Sequence, residues 1–150
     1  MKKIILFLGF LLLISCGYQP IFSSKNSNFL IEEMIYDKND KISLKINNGL
    51  NYLTSIKNYR EVIKLKLKSE KKIDVSSKDS KGDPLIYKMT ISSNIEIYSN
   101  DQLINEKNIS KQFSYKNISK KFDLKQYEKI IEGNLIEQIK KDIIFILYNW

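Results

Sequence analysis

The chain has 150 residues, with 25 Lys and Arg against 17 Asp and Glu, a net charge of +8, no His and a single Cys. That length suits one small domain and is short for two. Without His and with one Cys, it cannot build a structural zinc site, a Cys/His pair, a Ser/His/Asp triad or an internal disulfide. The basic excess excludes less. Only Arg60 is arginine, Ala is absent, and Lys, Ile and Asn abound. An AT-rich genome imposes that bias on solvated faces, and an anion-binding surface is the other source of such charge.

Met1-Lys2-Lys3 is a cationic start, Ile4 to Ile14 is apolar apart from Gly9, and Ser15 precedes Cys16. Cationic, apolar and small-residue regions in that order make a secretory signal. The run falls short of the roughly 20 residues that a spanning helix needs. It has no polar face, which suits a core helix poorly. Leu13-Ile14-Ser15-Cys16 resembles the lipobox of bacterial lipoproteins, whose Cys takes a diacylglycerol before the signal is cut and the new amine is acylated. The resemblance implies that residues 1–15 are a signal peptide and that Cys16 is the lipidation site. Stable anchoring takes two lipid signals, and three acyl chains exceed that. Gly17 follows the Cys, whereas Asp there retains lipoproteins in the inner membrane of enteric-type bacteria. The expected location is therefore the periplasmic side of the outer membrane. Cleavage leaves 135 residues and, with Lys2 and Lys3 gone, a charge of +6. Export removes nucleic acid as an expected partner. It also makes the Asn108 and Asn117 glycosylation sequons chance matches.

Tyr18 to Asn28 is polar and carries Pro20, so residues 16–28 read as a tether and 29–150 as one domain. Phe29 to Tyr36 is a short strand. Asp40 can cap a helix, and Ile42, Ile46, Leu50 and Leu53 recur at helical spacing to about Ser55, with Gly49 a mild weakness. From Val62 to Lys68, Ile63, Leu65 and Leu67 alternate with lysines, a half-buried strand that continues through Ile73 and Val75. Ser76 to Pro84 is dense in turn residues. Leu85, Tyr87, Met89, Ile91, Ile95 and Ile97 alternate in a second long strand. Ser99 to Gln102 is a tight connection. Leu103 to Tyr115 is a third strand with Ile109, Phe113 and Tyr115 on one face. After a lysine-rich loop, Asn117 to Asp123, a helix from about Leu124 to Tyr148 carries a stripe of Tyr127, Ile130, Ile131, Leu135, Ile139, Ile143, Ile146 and Leu147.

The order β-α-β-β-β-α, with one apolar face per element, predicts an α+β two-layer sandwich. Both helices pack on one face of a four-stranded mixed sheet. The other face is then polar and open, bearing Lys64, Lys66, Lys68, Lys88, Thr90, Ser92, Asn94 and Glu96. No Gly-rich phosphate loop or metal-ligand cluster is present, and no cofactor is implied. Glu32 and Glu33 are adjacent on a strand and should point to opposite faces, unable to share a substrate. Catalysis is not expected. Lysines in turns, Lys78, Lys81, Lys120 and Lys121, could hold lipid phosphate as point charges or be solvated background.

Cys16-Gly17-Tyr18-Gln19-Pro20-Ile21-Phe22 resembles the start of mature LPS-assembly lipoproteins (LptE) of alphaproteobacteria, in which an aromatic, Pro, an aliphatic and an aromatic follow Cys-Gly. The segment Tyr87 to Ile144 is similar to that family's second half, through Tyr87-Lys88-Met89, Phe113 to Tyr115, Tyr127-Glu128, Ile130-Ile131 and Glu137-Gln138-Ile139. The resemblance implies the same β-α-β-β-β-α fold and no enzymatic activity. It also implies a role as plug and assembly factor of an outer-membrane β-barrel partner (LptD-like) that binds lipopolysaccharide in transit. By the same resemblance Lys81 and Lys121 match ligand-contacting positions, with Lys78 and Lys120 as neighbours. Lys in place of Arg at the first of these loses the bidentate phosphate fork. A lipoprotein that binds lipid or peptidoglycan, or aids envelope assembly without a dedicated barrel, is the alternative.

Overall fold

The computed structural model describes residues 29–149, so Cys16, the signal and the tether lie outside the described residues. The elements are β1 (Phe29–Tyr36), α1 (Lys41–Leu50) with a 3-10 extension (Asn51–Ser55), β2 (Glu61–Lys78), β3 (Pro84–Ser99), β4 (Gln102–Lys116) and α2 (Lys121–Tyr148). The sheet order is β1-β2-β3-β4. β1 runs parallel to β2, with α1 in the crossover, and β2, β3 and β4 form an antiparallel meander. This is the two-layer α+β arrangement that the apolar periodicity predicts.

Alternation decides which face is covered. Ile63, Leu65 and Leu67 of β2 and Met89, Ile91, Ile95 and Ile97 of β3 are at most 2% exposed. They meet Ile46 and Leu50 of α1 and Leu135, Ile139 and Ile143 of α2. Each such side chain contributes about 1.5–3 kcal/mol when fully buried. Asp40 caps α1 as expected, accepting from the Ile42 and Ser43 amides at 3.0 Å each. Its second oxygen accepts from the Ser69 amide of β2 at 2.9 Å, so the cap also pins the helix to the sheet. Ser69 Oγ lies 2.9 Å from both Ser43 Oγ and Ser93 Oγ, which carries the latch into β3.

The two hairpins turn by different chemistry. Between β3 and β4, Asn100 and Asp101 both have positive φ, 50° and 59°. That geometry defines a two-residue turn whose twist matches the strands. Between β2 and β3, Asp79 Oδ1 accepts from the Lys81 and Asp83 amides at 2.8 Å. Gly82 there takes φ of 89°, a left-handed conformation that costs glycine nothing.

Four sequence expectations are corrected. β2 extends through Ser76, Ser77 and Lys78, so the predicted Ser76–Pro84 loop shrinks to Asp79–Asp83. α2 begins at Lys121, because lysine is a good helix former and Asp123 in the first turn offsets it. Tyr127 and Ile130 of the expected apolar stripe are 37% and 60% exposed, as is Phe113 of β4 at 46%. Tyr127 packs edge-on against Tyr115 of β4 at 6.1 Å, but the sheet stops at β4, so the outer flank of the stripe is left partly open above Phe113. The fourth correction is a β1 bulge between Ile31 and Glu33. It breaks the alternation, so Glu32 and Glu33 do not take opposite faces. Glu33 pairs with Lys64 on the open face, and Glu32 lines a shallow depression there with Lys64, Tyr98 and Asp101.

Candidate functional site

The β2–β3 turn and the loop before α2 lie at the same end of the sheet. The Asn117 amide donates to Leu85 O at 2.8 Å and its side chain to Pro84 O at 2.9 Å, which ties the loop after β4 to the start of β3. Lys78, Lys81, Lys120 and Lys121 therefore share one end of the molecule. Lys78 closes β2, Lys81 sits in the turn, Lys120 is the last loop residue and N-cap of α2, and Lys121 is its first residue, so Lys81 and Lys120 lie in connections as predicted while Lys78 and Lys121 belong to regular elements. All four are exposed. None has a carboxylate within ion-pairing distance among the described residues, in contrast to Lys45, Lys64, Lys66, Lys71, Lys72, Lys111 and Lys140. Lys116, at the end of β4, joins them and lay outside the sequence reading.

The helix start raises the local potential further. Lys120 caps α2 without a side-chain hydrogen bond. The first backbone N–H groups of a helix carry partial positive charge, and cations beside them are unfavourable. Two lysines there add to that charge, with Asp123 the acid of the first turn. The end as a whole suits an anionic ligand held by several point charges.

The open face of the sheet is of another kind. Its side chains are paired among themselves across strands. Lys66 reaches Glu96 at 3.0 Å, Asn94 donates to Glu106 at 2.9 Å, and Ser92 and Ser110 are 3.1 Å apart. The Tyr98 hydroxyl also donates to Glu96. That hydroxyl and Lys66 together hold the Glu96 carboxyl below the usual carboxylate range, while Tyr98 and Lys66 are raised in turn. Lys64 bonds Asp101 at 2.7 Å and is raised by that carboxylate, with Glu32 and Glu33 adding smaller contributions. The face is a polar wall with its charges largely balanced.

On the helix side, Glu132 of α2 is 8% exposed and bonds Lys45 of α1 and, at 2.6 Å, Lys71 of β2. Burial pushes its carboxyl up, and the two ammonium groups more than reverse this, leaving it below its ordinary value. The triad joins three elements. Among the described residues no group of carboxylates could hold a metal ion, and no helix is long and apolar enough to cross a membrane.

The fold recurs in solved lipoproteins. The crystal structure of rare lipoprotein B from Shewanella oneidensis superposes with a TM-score of 0.58 at 12% identity, over 77% of this chain and 92% of that one. A minor lipoprotein from Acinetobacter baumannii gives 0.59 at 13%, over 83% and 92%. A lipoprotein from Caulobacter crescentus gives 0.56 at 10%, over 80% and 89%. No protein-family model matches the sequence, and no curated protein matches it. At such low identity the likeness establishes the fold, and this chain has the fold of those lipoproteins.

Proposed function

We propose that the protein is a non-enzymatic lipoprotein of the outer membrane, anchored through Cys16, that plugs and helps assemble a β-barrel lipopolysaccharide translocon (LptD-like) and binds lipopolysaccharide with its lysine-bearing end. The observation that carries this reading is the fold shared with solved lipoproteins, found in a sequence whose single cysteine stands in a lipobox. Two features support the finer part. Lys78, Lys81, Lys120 and Lys121 have no ion pair among the described residues and are gathered at one end, an arrangement that suits phosphate-bearing lipid. The open face is polar and internally paired, as a surface against the polar lumen of a large barrel must be.

The test is affinity purification of the full chain from detergent-solubilised outer membrane. The expected result is co-purification of one large β-barrel protein. Recovery alone, with lipid or peptidoglycan binding intact, would favour an envelope lipoprotein without a dedicated barrel. A companion variant, Cys16→Ala, should abolish incorporation of labelled fatty acid and leave the signal uncut at this site. Continued labelling would remove the anchor from the proposal.

A further inference from the structure

β4 is a free edge of unusual length. Its partner on one side is β3, and on the other side it has none among the described residues. Its 15 residues, Gln102–Lys116, extend roughly 50 Å, against a usual strand of about 5–6 residues. Half of its backbone N–H and C=O groups point away from β3 with no ladder to join. Edges of this kind are normally kept short or covered.

Beside that edge lies an apolar groove. α2 sits over β3 and β4, and its Glu132 flank faces α1 and β2. The opposite flank presents Tyr127, Ile130, Asn134 and Gln138 above Phe113 of β4, with Leu135 at the base. The groove measures about 140 Å³, close to the roughly 150 Å³ that holds a benzene ring, so it takes one aromatic or branched side chain. On the other side of the sheet β4 is polar, with Ser110, Gln112 and Ser114 paired to outward residues of β3.

These features define an occupant. A strand added to β4 must alternate, with apolar side chains towards the groove and polar ones towards the open face. Charge narrows it further. Lys107 and Lys116 are exposed and have no ion pair among the described residues, and Lys111 is held by Asp142 at 2.6 Å. An acidic strand is attracted by them. A second copy of β4 would bring three lysines, Lys107, Lys111 and Lys116, and one carboxylate, Glu106, against the same set, a net repulsion of the kind by which natural edges avoid self-pairing.

We propose that the β4 edge and the Phe113–Tyr127–Ile130 groove form a strand-addition site for an acidic, alternating apolar and polar segment of another polypeptide. The site goes beyond the barrel reading and does not depend on it. A barrel could be captured with β4 idle, and a peptide could bind without a barrel.

The test uses the full chain and a synthetic peptide alternating Val or Phe with Thr or Glu, followed by hydrogen exchange. Protection should appear in Gln102–Lys116 and the flank of α2, and a scrambled peptide of equal composition should bind at least about tenfold more weakly. Ile130→Glu places a charge in the groove at an exposed position and should weaken binding by about the same factor. Lys107→Glu with Lys116→Glu should do so without touching the groove. Circular dichroism should be unchanged in both. The proposal is overturned if the scrambled peptide binds equally or protection falls elsewhere. Unaltered binding by Ile130→Glu would do the same. So would β4 protection that rises with protein concentration alone, which would assign the edge to a second copy.

Discussion

Single residues carry the pH dependence of this domain. Glu132 and Asp40 both have native carboxyls below their ordinary values of 4.5 and 3.8. Burial opposes that shift in each; the Lys45 and Lys71 ammonium groups reverse it for Glu132, and Ser43, Ser69 and Ile42 do so for Asp40. A group lowered in the native state contributes stability that is complete above its unfolded value and is lost as pH falls through the native one. Stability should therefore hold down to about pH 4.5 and then decline. Glu132→Gln keeps one acceptor oxygen but removes the counter-charge of two half-exposed lysines, and should cost about 1 kcal/mol at neutral pH. It should also flatten the acid limb, as read by urea unfolding across pH 2–7. An acid limb as steep as that of the parent would show that Glu132 does not titrate in this way.

The lysines of the basic end make a prediction of opposite signs. Lys121 stands at the first turn of α2, where a cation is unfavourable and an anion gains about 0.3–1 kcal/mol. Lys81→Asp with Lys121→Asp should therefore weaken binding to lipopolysaccharide micelles while leaving the thermal midpoint equal or slightly higher. A fall in both would mean that the charges support the fold, and unchanged binding would assign them to solvated background.

At the scale of elements, the regular ones were legible and their exceptions were not. Ile63, Leu65 and Leu67 alternating with Lys64, Lys66 and Lys68 left one face to bury, and the register follows it. The β1 bulge had no such signal, since FLIEEMIY alternates weakly and the extra residue is set by pairing with β2. The groove was hidden for a related reason. Tyr127 and Ile130 fit the apolar stripe of α2, and only the position of the sheet edge shows that their flank stays open above Phe113. Glycine within the helices divides in the same way. A Cβ on Gly133 would meet nothing within 4 Å, whereas one on Gly49 would run into the end of the Lys140 side chain. Gly133→Ala should raise stability by about 1 kcal/mol from helix propensity. Gly49→Ala should gain less, because Lys140, bonded to Glu137 at 2.6 Å, must move. Thermal unfolding of the two variants side by side separates these cases, and an equal gain would show that Lys140 shifts freely.

For the whole molecule, the layer architecture followed from element order, but the gathering of the lysines did not. Lys78 and Lys121 are far apart in sequence, and nothing local says that the Asn117 hydrogen bonds will bring their loops to one end. The bonds depend on a long meander closing in register. Lys116 entered the cluster only through that closure. Charge count alone gave the sign of the surface and no address for it.

One contact also gives the molecule a direction. The rings of Phe29, where β1 begins, and Tyr148, where α2 ends, meet edge to face with centroids 5.4 Å apart. Both ends of the described chain thus share one pole, and the lysine-bearing turn lies at the other, the length of β3 away, roughly 50 Å. An anchor at Cys16 would lie on the chain side of the first pole and leave the second as the free end. A fluorophore placed after Tyr148 would then report the distance to the bilayer and leave the far pole undisturbed.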